Sequence, residues 1–346
     1  MVDDPKVFII ILNWNGLKDT LECLDSVYKL DYRNFEVIIV DNASSDNSIN
    51  IIREAYPQVT LIKNNENLGF TGGNNVAMRY AMAHDADYMW LLNNDTIVER
   101  DTVSKIIEVA ESSGIIGLVS PMVYYYDDPN KWQFAGSYMD WDSFSLIYPD
   151  SINEVGKEFQ YGHNVCLWGT ALLIKRSMVE KVGYLKEEYF AYWEDTEYSL
   201  RGIANGFHNI VCTSAKIFHK SPIDPSKRAE SKGTYYCYFF QRNQILLAHE
   251  YIKTLTKRLK FKIRILAELS NDMGNPHSIN IDDCVTGTWH GLKSISGPMK
   301  NSERMPMSLR LILLLFSKFH PAFLFDLISL DFKKVHRKII EKINHI

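Results

Sequence analysis

What the chain has little of narrows its class first. Its five cysteines (Cys23, Cys166, Cys212, Cys237 and Cys284) are odd in number, widely spread and never spaced as CxxC. That pattern disfavours a disulfide framework and a zinc knuckle, and suggests a reducing compartment. With 18 glycines and 11 prolines in 346 residues, the chain is not dominated by linkers. Long apolar runs are missing too. The longest near the C-terminus, Leu311–Phe316, falls far short of the roughly 20 residues a spanning helix needs. Arg310, Lys318, Pro321 and Asp326 interrupt every extension of it. The opening MVDDPKVFII carries acids where a secretory leader carries bases, so no leader is expected. No internal repeat or low-complexity tract occurs.

What remains is a globular composition, 46% hydrophobic and 23% charged, which excludes wholesale disorder and fibrous repeats. The chain carries 38 Lys+Arg and 42 Asp+Glu, a net charge of −4. Residues 241–346 hold 17 basic against 9 acidic residues, leaving 21 against 33 in residues 1–240. An acidic front and a basic tail suggest two tasks: small-molecule chemistry in front, attachment to an anionic partner behind.

The first hundred residues alternate strand and helix patterns. Lys6–Leu12 is a continuous apolar, β-branched run, as in a strand buried on both faces of a parallel sheet. Helical spacing follows over Leu17–Lys29. Strands are expected at Phe35–Val40, Val59–Lys63 and Tyr88–Leu92, with a helix over about 47–55. A Gly/Asn-rich turn is expected over Asn64–Asn75, then a helix to about His84. This alternation predicts an α/β fold with a mostly parallel twisted sheet. Further on, the spacing predicts a helix at 100–112 and strands at 115–119 and Leu167–Ile174. A short helix at Ser177–Val182 follows. The aromatic stretch 124–148 reads as irregular strands and loops. From Tyr235 the chain reads as mainly helical.

Ligands of open α/β sheets bind at the carboxyl ends of the strands. Here those ends are polar: Asn13-Trp14-Asn15-Gly16, Asp41-Asn42-Ala43-Ser44, Asn64-Asn65-Glu66-Asn67 and Asn93-Asn94-Asp95. Each alone fits an Asx turn or a helix cap. Four on one rim suit a nucleotide. The glycines of NLGFTGGNN (67–75) either bring backbone close to a phosphate at a helix N-terminus or serve chain geometry alone. They match neither GxGxxG nor a Walker loop. Asp95, after a buried strand, can hold a hard divalent cation if phosphate oxygens complete the shell. Glu194-Asp195 lies between an aromatic cluster and a helix that reads as ending at Gly206. Asp195 fits an N-cap, a base, or both, since a helix N-terminus favours the ionised carboxylate. His219 fits a structural role, or pairs with Asp95 as an Mn²⁺ or Mg²⁺ ligand.

In order, ILNWNG, VDNASSD, NENLGFTGGNN, LLNNDT, FAGS, WGTALLIKR and YFAYWEDTEYSLR followed by FH resemble the family 2 glycosyltransferases of the GT-A fold. The likeness is to the rhamnosyltransferase-like and galactofuranosyltransferase-like branch. It runs from about Lys6 to His219, with an extension through YYCYFFQRN. The resemblance implies a Rossmann-like GT-A domain over residues 1–234, its nucleotide-sugar half at 1–100 and its acceptor half at 101–234. A helical basic region follows at 235–346. It implies that Asp41 and Asn42, with Asn13 and Asn15, line a nucleotide-sugar pocket that Asn67, Gly69, Gly72 and Asn74 shape. Asn94 and Asp95 stand in the DXD metal motif, whose first position here is Asn93. Asp195, paired with Glu194, takes the place of the base, and His219 that of a metal-binding histidine. The implied reaction is inverting transfer from a nucleoside-diphosphate sugar, dTDP-rhamnose before UDP-sugars, to a glycan or lipid-linked acceptor in cell-surface polysaccharide synthesis. Mg²⁺ or Mn²⁺ is the implied cofactor.

Trp168 and Trp193 are candidate acceptor contacts, or ordinary packing. The segment His249–Leu269 reads as one basic amphipathic helix, carrying Lys253, Lys257, Arg258, Lys260, Lys262 and Arg264. Leu309–Leu330 adds apolar surface and Lys333–Lys342 adds charge. This suits a cytoplasmic protein lying on the inner, anionic face of a membrane, or a helical bundle with a solvated basic face. Nucleic acid is not expected, because no recognition motif accompanies the charge. The rival functions are a nucleotidyltransferase and a non-catalytic nucleotide-sugar-binding module.

Overall fold

The computed structural model describes residues 4–151, 154–155, 165–223, 233–275, 280–299 and 303–316. They fall into two compact units: residues up to 141 with 145–223, and residues 142–144 with 233–316.

The first unit is built on β1 (Val7–Asn13), β2 (Phe35–Asp41), β3 (Thr60–Lys63) and β4 (Tyr88–Asn93), all parallel, in the order β3-β2-β1-β4. Helices α1 (Leu17–Val27), α2 (Ser48–Ala55) and α3 (Gly69–Ala83) connect them. The period-2 pleat sorts the apolar run of β1 onto two faces. Val7, Ile9 and Ile11 join the core under α1 and α2, whereas Phe8 and Ile10 join the core under α3. A strand covered on both sides needs no polar face, which is why its sequence is continuous rather than alternating.

After β4 come β5 (Thr96–Val98), α4 (Thr102–Glu111), β6 (Ile116–Tyr125), β7 (Trp132–Phe134), β8 (Ser137–Asp140), β9 (Ser145–Ile147) and β10 (Val165–Cys166). Then follow β11 (Ala171–Lys175), α5 (Arg176–Val182), α6 (Glu194–Ala204) and β12 (His208–His219). The sheet extends as β4-β11-β6-β12-β5, with β7 on β6. Strand β11 is antiparallel to both neighbours, while β12 runs parallel to β6. A small antiparallel sheet, β10-β8-β9, stands apart.

Three expectations shift. Helix α3 starts at Gly69, so the turn expected through Asn75 is largely helix. The glycines that suggested a turn are there for packing: a Cβ at Gly73 would collide with the Leu12 side chain of β1. Strand β6 runs on to Tyr125, into the aromatic stretch, because β12 pairs with it as far as His219. Strand β11 begins at Ala171, leaving Leu167–Thr170 as a polar-edged approach to it.

The second unit contains α7 (Thr234–Tyr251), α8 (Leu255–Gly274), α9 (Ile281–Leu292) and α10 (Met307–Phe316). The single basic helix expected over His249–Leu269 is broken at Ile252–Thr254. Arg258 causes much of that break: it donates to the carbonyls of His249 (3.0 Å) and Ile252 (2.6 Å), satisfying the orphan end of α7. Thr254 then caps α8, its hydroxyl accepting from the Lys257 amide. Leu269, Val285, Met305 and Leu313 form the buried core. Leu309–Leu330 is described only as far as Phe316, and Lys333–Lys342 lies outside the described residues. Among the described residues, no helix is long and apolar enough to cross a membrane. All five cysteines are free thiols.

Candidate active site

The carboxyl ends of β1 and β2 lie side by side, Asn13 in register with Asp41. Asn13 Nδ2 donates to Asp41 Oδ1 at 3.1 Å and to Ser44 Oγ at 3.2 Å, while its oxygen accepts from Thr20 and Gly16. The second Asp41 oxygen accepts from the Ser44 amide. Asn15, with φ 53°, turns its oxygen to the Ser45 amide at 2.8 Å. Asn42 uses all four of its hydrogen-bonding positions: it donates to Asn67 Oδ1 and the Gly69 carbonyl, and accepts from Asn64 and the Leu68 amide. Asn67 in turn accepts from the Gly69 amide. The asparagines thus knit three strand ends into one rigid rim. Asn74 and Gly72 act from inside α3, the first donating to the Phe70 carbonyl and the second packing on Leu68.

Gly69 has a specific task. Its φ is +71° and a Cβ would lie 2.6 Å from Phe190 Cγ, so the β3–α3 turn is seated directly against the segment that leads to Glu194. Thr71 strengthens that seat, its amide donating to the Phe190 carbonyl at 3.1 Å.

Beyond β4 the chain turns back as β5, and the register Thr96↔His219 brings Asp95 beside the end of β12. His219 Nε2 lies 3.3 Å from Asp95 Oδ2, and His219 Nδ1 lies 2.8 Å from Gln133 Oε1 of β7. Asp95 Oδ1 is enclosed yet has no hydrogen-bond partner among the described residues. Burial pushes the Asp95 carboxyl up, but the bond and charge of His219, its own backbone amide and Lys220 outweigh it and hold the group below its usual range. Lys220 is tied by Asp19 at 2.7 Å and Glu22 at 2.6 Å. Asn94 donates to Thr20 Oγ1 at 3.0 Å, which joins this turn to the β1–α1 turn.

The third element is the start of α6. Trp193 occupies the cap position in the left-handed region, so Asp195 sits in the first turn and is not the cap. Phe190, Tyr192 and Trp193 all have φ between 65° and 70°, a strained run that costs of order 1 kcal/mol or more per residue and is held by its surroundings. Asp195 Oδ2 accepts from the Gly169 amide at 2.9 Å, and Oδ1 from the Thr196 amide at 2.6 Å. Glu194 is 5% exposed, and its Oε2 has no hydrogen-bond partner among the described residues. Burial, then the neighbouring Asp195 charge, pushes Glu194 well above the usual range. Burial also raises Asp195, opposed by the Gly169 and Thr196 amides. Each carboxyl disfavours the charge of the other, and Asp195, which has the amide donors, is the one whose charge is better supported.

The rings expected to meet an acceptor divide. Trp168 is half-buried and stacks on Phe134 at 4.0 Å and 8° between planes, with Tyr148 set edge-on. Trp193 is only 6% exposed, whereas Tyr192 beside it is 40% exposed, so Tyr192 carries the accessible ring at this point.

A backbone bond links the segments that carry the two carboxylates. The Asn93 amide donates to the Thr170 carbonyl at 2.9 Å. Asp95 lies two residues beyond the donor, and Gly169, which holds Asp195, lies one residue before the acceptor. No motif in the sequence marks Gln133 or Thr20, and Ser44, Gly169 and Thr170 stand in it only as members of longer motifs. For Gln133 the only signal is one polar residue between Trp132 and Phe134 in a strand.

The family model described as Glycosyl transferase family 2 matches residues 8–183, half of the chain. The chain belongs to that family.

As a family 2 glycosyltransferase, it is an enzyme that transfers sugar, and its fold is GT-A. It is 23% identical over 322 residues to the low-salt glycan biosynthesis hexosyltransferase Agl10 of Haloferax volcanii, covering 88% of this chain and 95% of that one. It is 25% identical to the N-acetylglucosaminyl-diphospho-decaprenol L-rhamnosyltransferase of Mycobacterium tuberculosis, over 59% and 74% of the two chains. Among solved structures it resembles the mannosyltransferase PcManGT of Pyrobaculum calidifontis, in complex with GDP-Man and Mn²⁺. The TM-score there is 0.52 at 17% identity, covering 92% of this chain and 82% of that one.

The residues at Asp95 fit a divalent cation. The enclosed, unpartnered Asp95 oxygen and the ring nitrogen of His219 offer one hard and one borderline ligand. Among the described residues no cluster of three or more His, Cys, Asp or Glu makes a complete cage. Donor phosphate oxygens would have to complete the shell.

Proposed function

We propose that this family 2 glycosyltransferase moves a glycosyl unit from a nucleoside-diphosphate sugar to a hydroxyl of a glycan or lipid-linked acceptor, inverting the anomeric carbon. dTDP-rhamnose is the favoured donor, with UDP-sugars next. The names of the relatives support the acceptor class: one serves glycan biosynthesis and another acts on a decaprenyl diphosphate-linked sugar.

The observation that carries the reading is Asp195, held by the Gly169 amide one residue from the carbonyl that binds Asn93, with Asp95 at the other end of the same short path. The asparagine rim around Asp41 takes the nucleoside. Asp95 and His219 would hold Mg²⁺ or Mn²⁺, which supplies charge neutralisation to the departing diphosphate. Asp195 accepts the proton of the acceptor hydroxyl as its oxygen attacks the anomeric carbon. The bond from that carbon to the diphosphate oxygen breaks on the opposite side, and its electron pair leaves with the diphosphate. Gly169 and Thr196 keep Asp195 aimed without neutralising it. Trp168 and Tyr192 offer ring faces for a sugar acceptor, whereas Trp193 is buried.

The same reading places the protein in the cytoplasm, at an anionic membrane surface. The exposed start of α8 supports it: Leu255 is 81% and Leu259 51% exposed, one turn apart, among the exposed Lys253, Lys257 and Lys260. The deciding experiment is a panel of nucleotide sugars assayed for release of nucleoside diphosphate with Mn²⁺ or Mg²⁺ and a lipid-linked sugar acceptor. Turnover lost in Asp195→Asn supports the reading. Unimpaired turnover in that variant sinks it.

A further inference from the structure

His219 is held at both ring nitrogens. Nε2 lies 3.3 Å from Asp95 Oδ2, and Nδ1 lies 2.8 Å from Gln133 Oε1. An amide oxygen accepts and cannot donate, so the proton of the second bond belongs to Nδ1. With Nδ1 keeping its proton, Nε2 is the nitrogen left to bind a cation once the proton it shares with Asp95 is displaced, and it faces the side where Asp95 stands.

Gln133 is well placed to impose this. It is the extra residue of a bulge in β7, between Trp132 and Phe134, which pair with the consecutive Tyr124 and Val123 of β6, so its backbone is pinned on both sides by ladder pairs. Its neighbour Phe134 stacks on Trp168, the residue before Gly169. Two consecutive residues of one short strand therefore brace the cation side and the base side of the cleft.

We propose that Gln133 is the positioning residue of the cation site: it sets the tautomer and ring plane of His219, so that Nε2 and the Asp95 carboxylate address one ion. The inference rests on the reading of Asp95 and His219 as cation ligands, and its test separates the two.

Ring-¹⁵N-labelled protein is compared as wild type, Gln133→Leu and Gln133→Glu, with the His219 signals assigned through His219→Gln. Gln133→Ser, too short to reach Nδ1, replaces the leucine variant if that one fails to fold. Without metal, the wild type should show His219 with its proton on Nδ1, and Gln133→Leu should lose that preference. Titrated with Mn²⁺ in the presence of nucleoside diphosphate and read by electron paramagnetic resonance, Gln133→Leu should bind about ten- to a hundredfold more weakly, as for loss of an outer partner of a ligating histidine. Gln133→Glu keeps an acceptor and should stay within about threefold of the wild type. A leucine variant with wild-type ring signals and wild-type Mn²⁺ affinity overturns the proposal. So does a wild type whose ring proton sits on Nε2 alone. A wild type that binds no Mn²⁺ overturns the cation reading instead, and the metal-free ring signals still decide whether Gln133 sets the tautomer.

Discussion

The amide of Gly169 donates to Asp195 Oδ2 at 2.9 Å, joining the approach to β11 to the first turn of α6. One residue on, the Thr170 carbonyl accepts from Asn93, at the end of the strand that delivers Asp95. The placement of Asp195 relative to Asp95 therefore depends on a few backbone hydrogen bonds at the strand ends.

If Asp195 is the base, Asp195→Asn should lower kcat by about 10²–10⁴-fold, the usual worth of a positioned proton acceptor. Nucleoside diphosphate affinity should change little. Turnover assays beside titration calorimetry separate the two effects. In the wild type, kcat/KM should fall as pH drops through the raised Asp195 ionisation, at higher pH than an ordinary aspartate would require.

Glu194 makes a prediction about stability with a definite sign. Its folded-state ionisation is raised from about 4.5 because burial disfavours the charge. The folded state then holds a proton that the unfolded chain releases, so stability declines as pH rises from about 4.5 towards the raised value. Glu194→Gln cannot ionise and should escape that decline. Its Tm should exceed that of the wild type at pH 8, with the gap closing by pH 4.

Asp95→Asn removes the one carboxylate of the Asn93-Asn94-Asp95 turn. Mn²⁺ affinity measured with nucleoside diphosphate should drop about tenfold or more, because a charged hard ligand is replaced by a neutral one. Retained affinity would place the cation elsewhere.

Gly69→Ala should be costly. A side chain at φ +71° and a Cβ 2.6 Å from Phe190 Cγ combine backbone strain with overpacking, together about 2–4 kcal/mol. Chemical denaturation should show the loss, and turnover should fall with it, because Phe190 leads directly into Glu194 and Asp195.

For the membrane reading, replacing Leu255 and Leu259 by serine should abolish flotation with anionic vesicles, since both side chains are more than half exposed. Turnover on a soluble acceptor should be unchanged. Wild type recovered only in the unbound fraction would overturn the reading.

Much of the catalytic half was legible because it rests on local signals. Buried parallel strands write themselves as unbroken apolar runs, and their polar ends mark the ligand edge. The boundaries that slipped were those set by distant partners. Gly73 serves the close approach of Leu12 from within a helix rather than a turn, and the basic segment breaks in two where Arg258 meets the end of α7.

By itself, the order of residues determined the sheet, its polar rim, the family and the pair of carboxyl groups around which the chemistry is proposed. Only the folded chain decided that Gln133, unremarkable in sequence, faces His219, that Tyr192 rather than Trp193 is open, and that Glu194 is enclosed while Asp195 is held by amides. Periodicity is a property of neighbours along the chain. Tautomer, exposure and ionisation are set by what lies across the cleft, from residues tens of positions away.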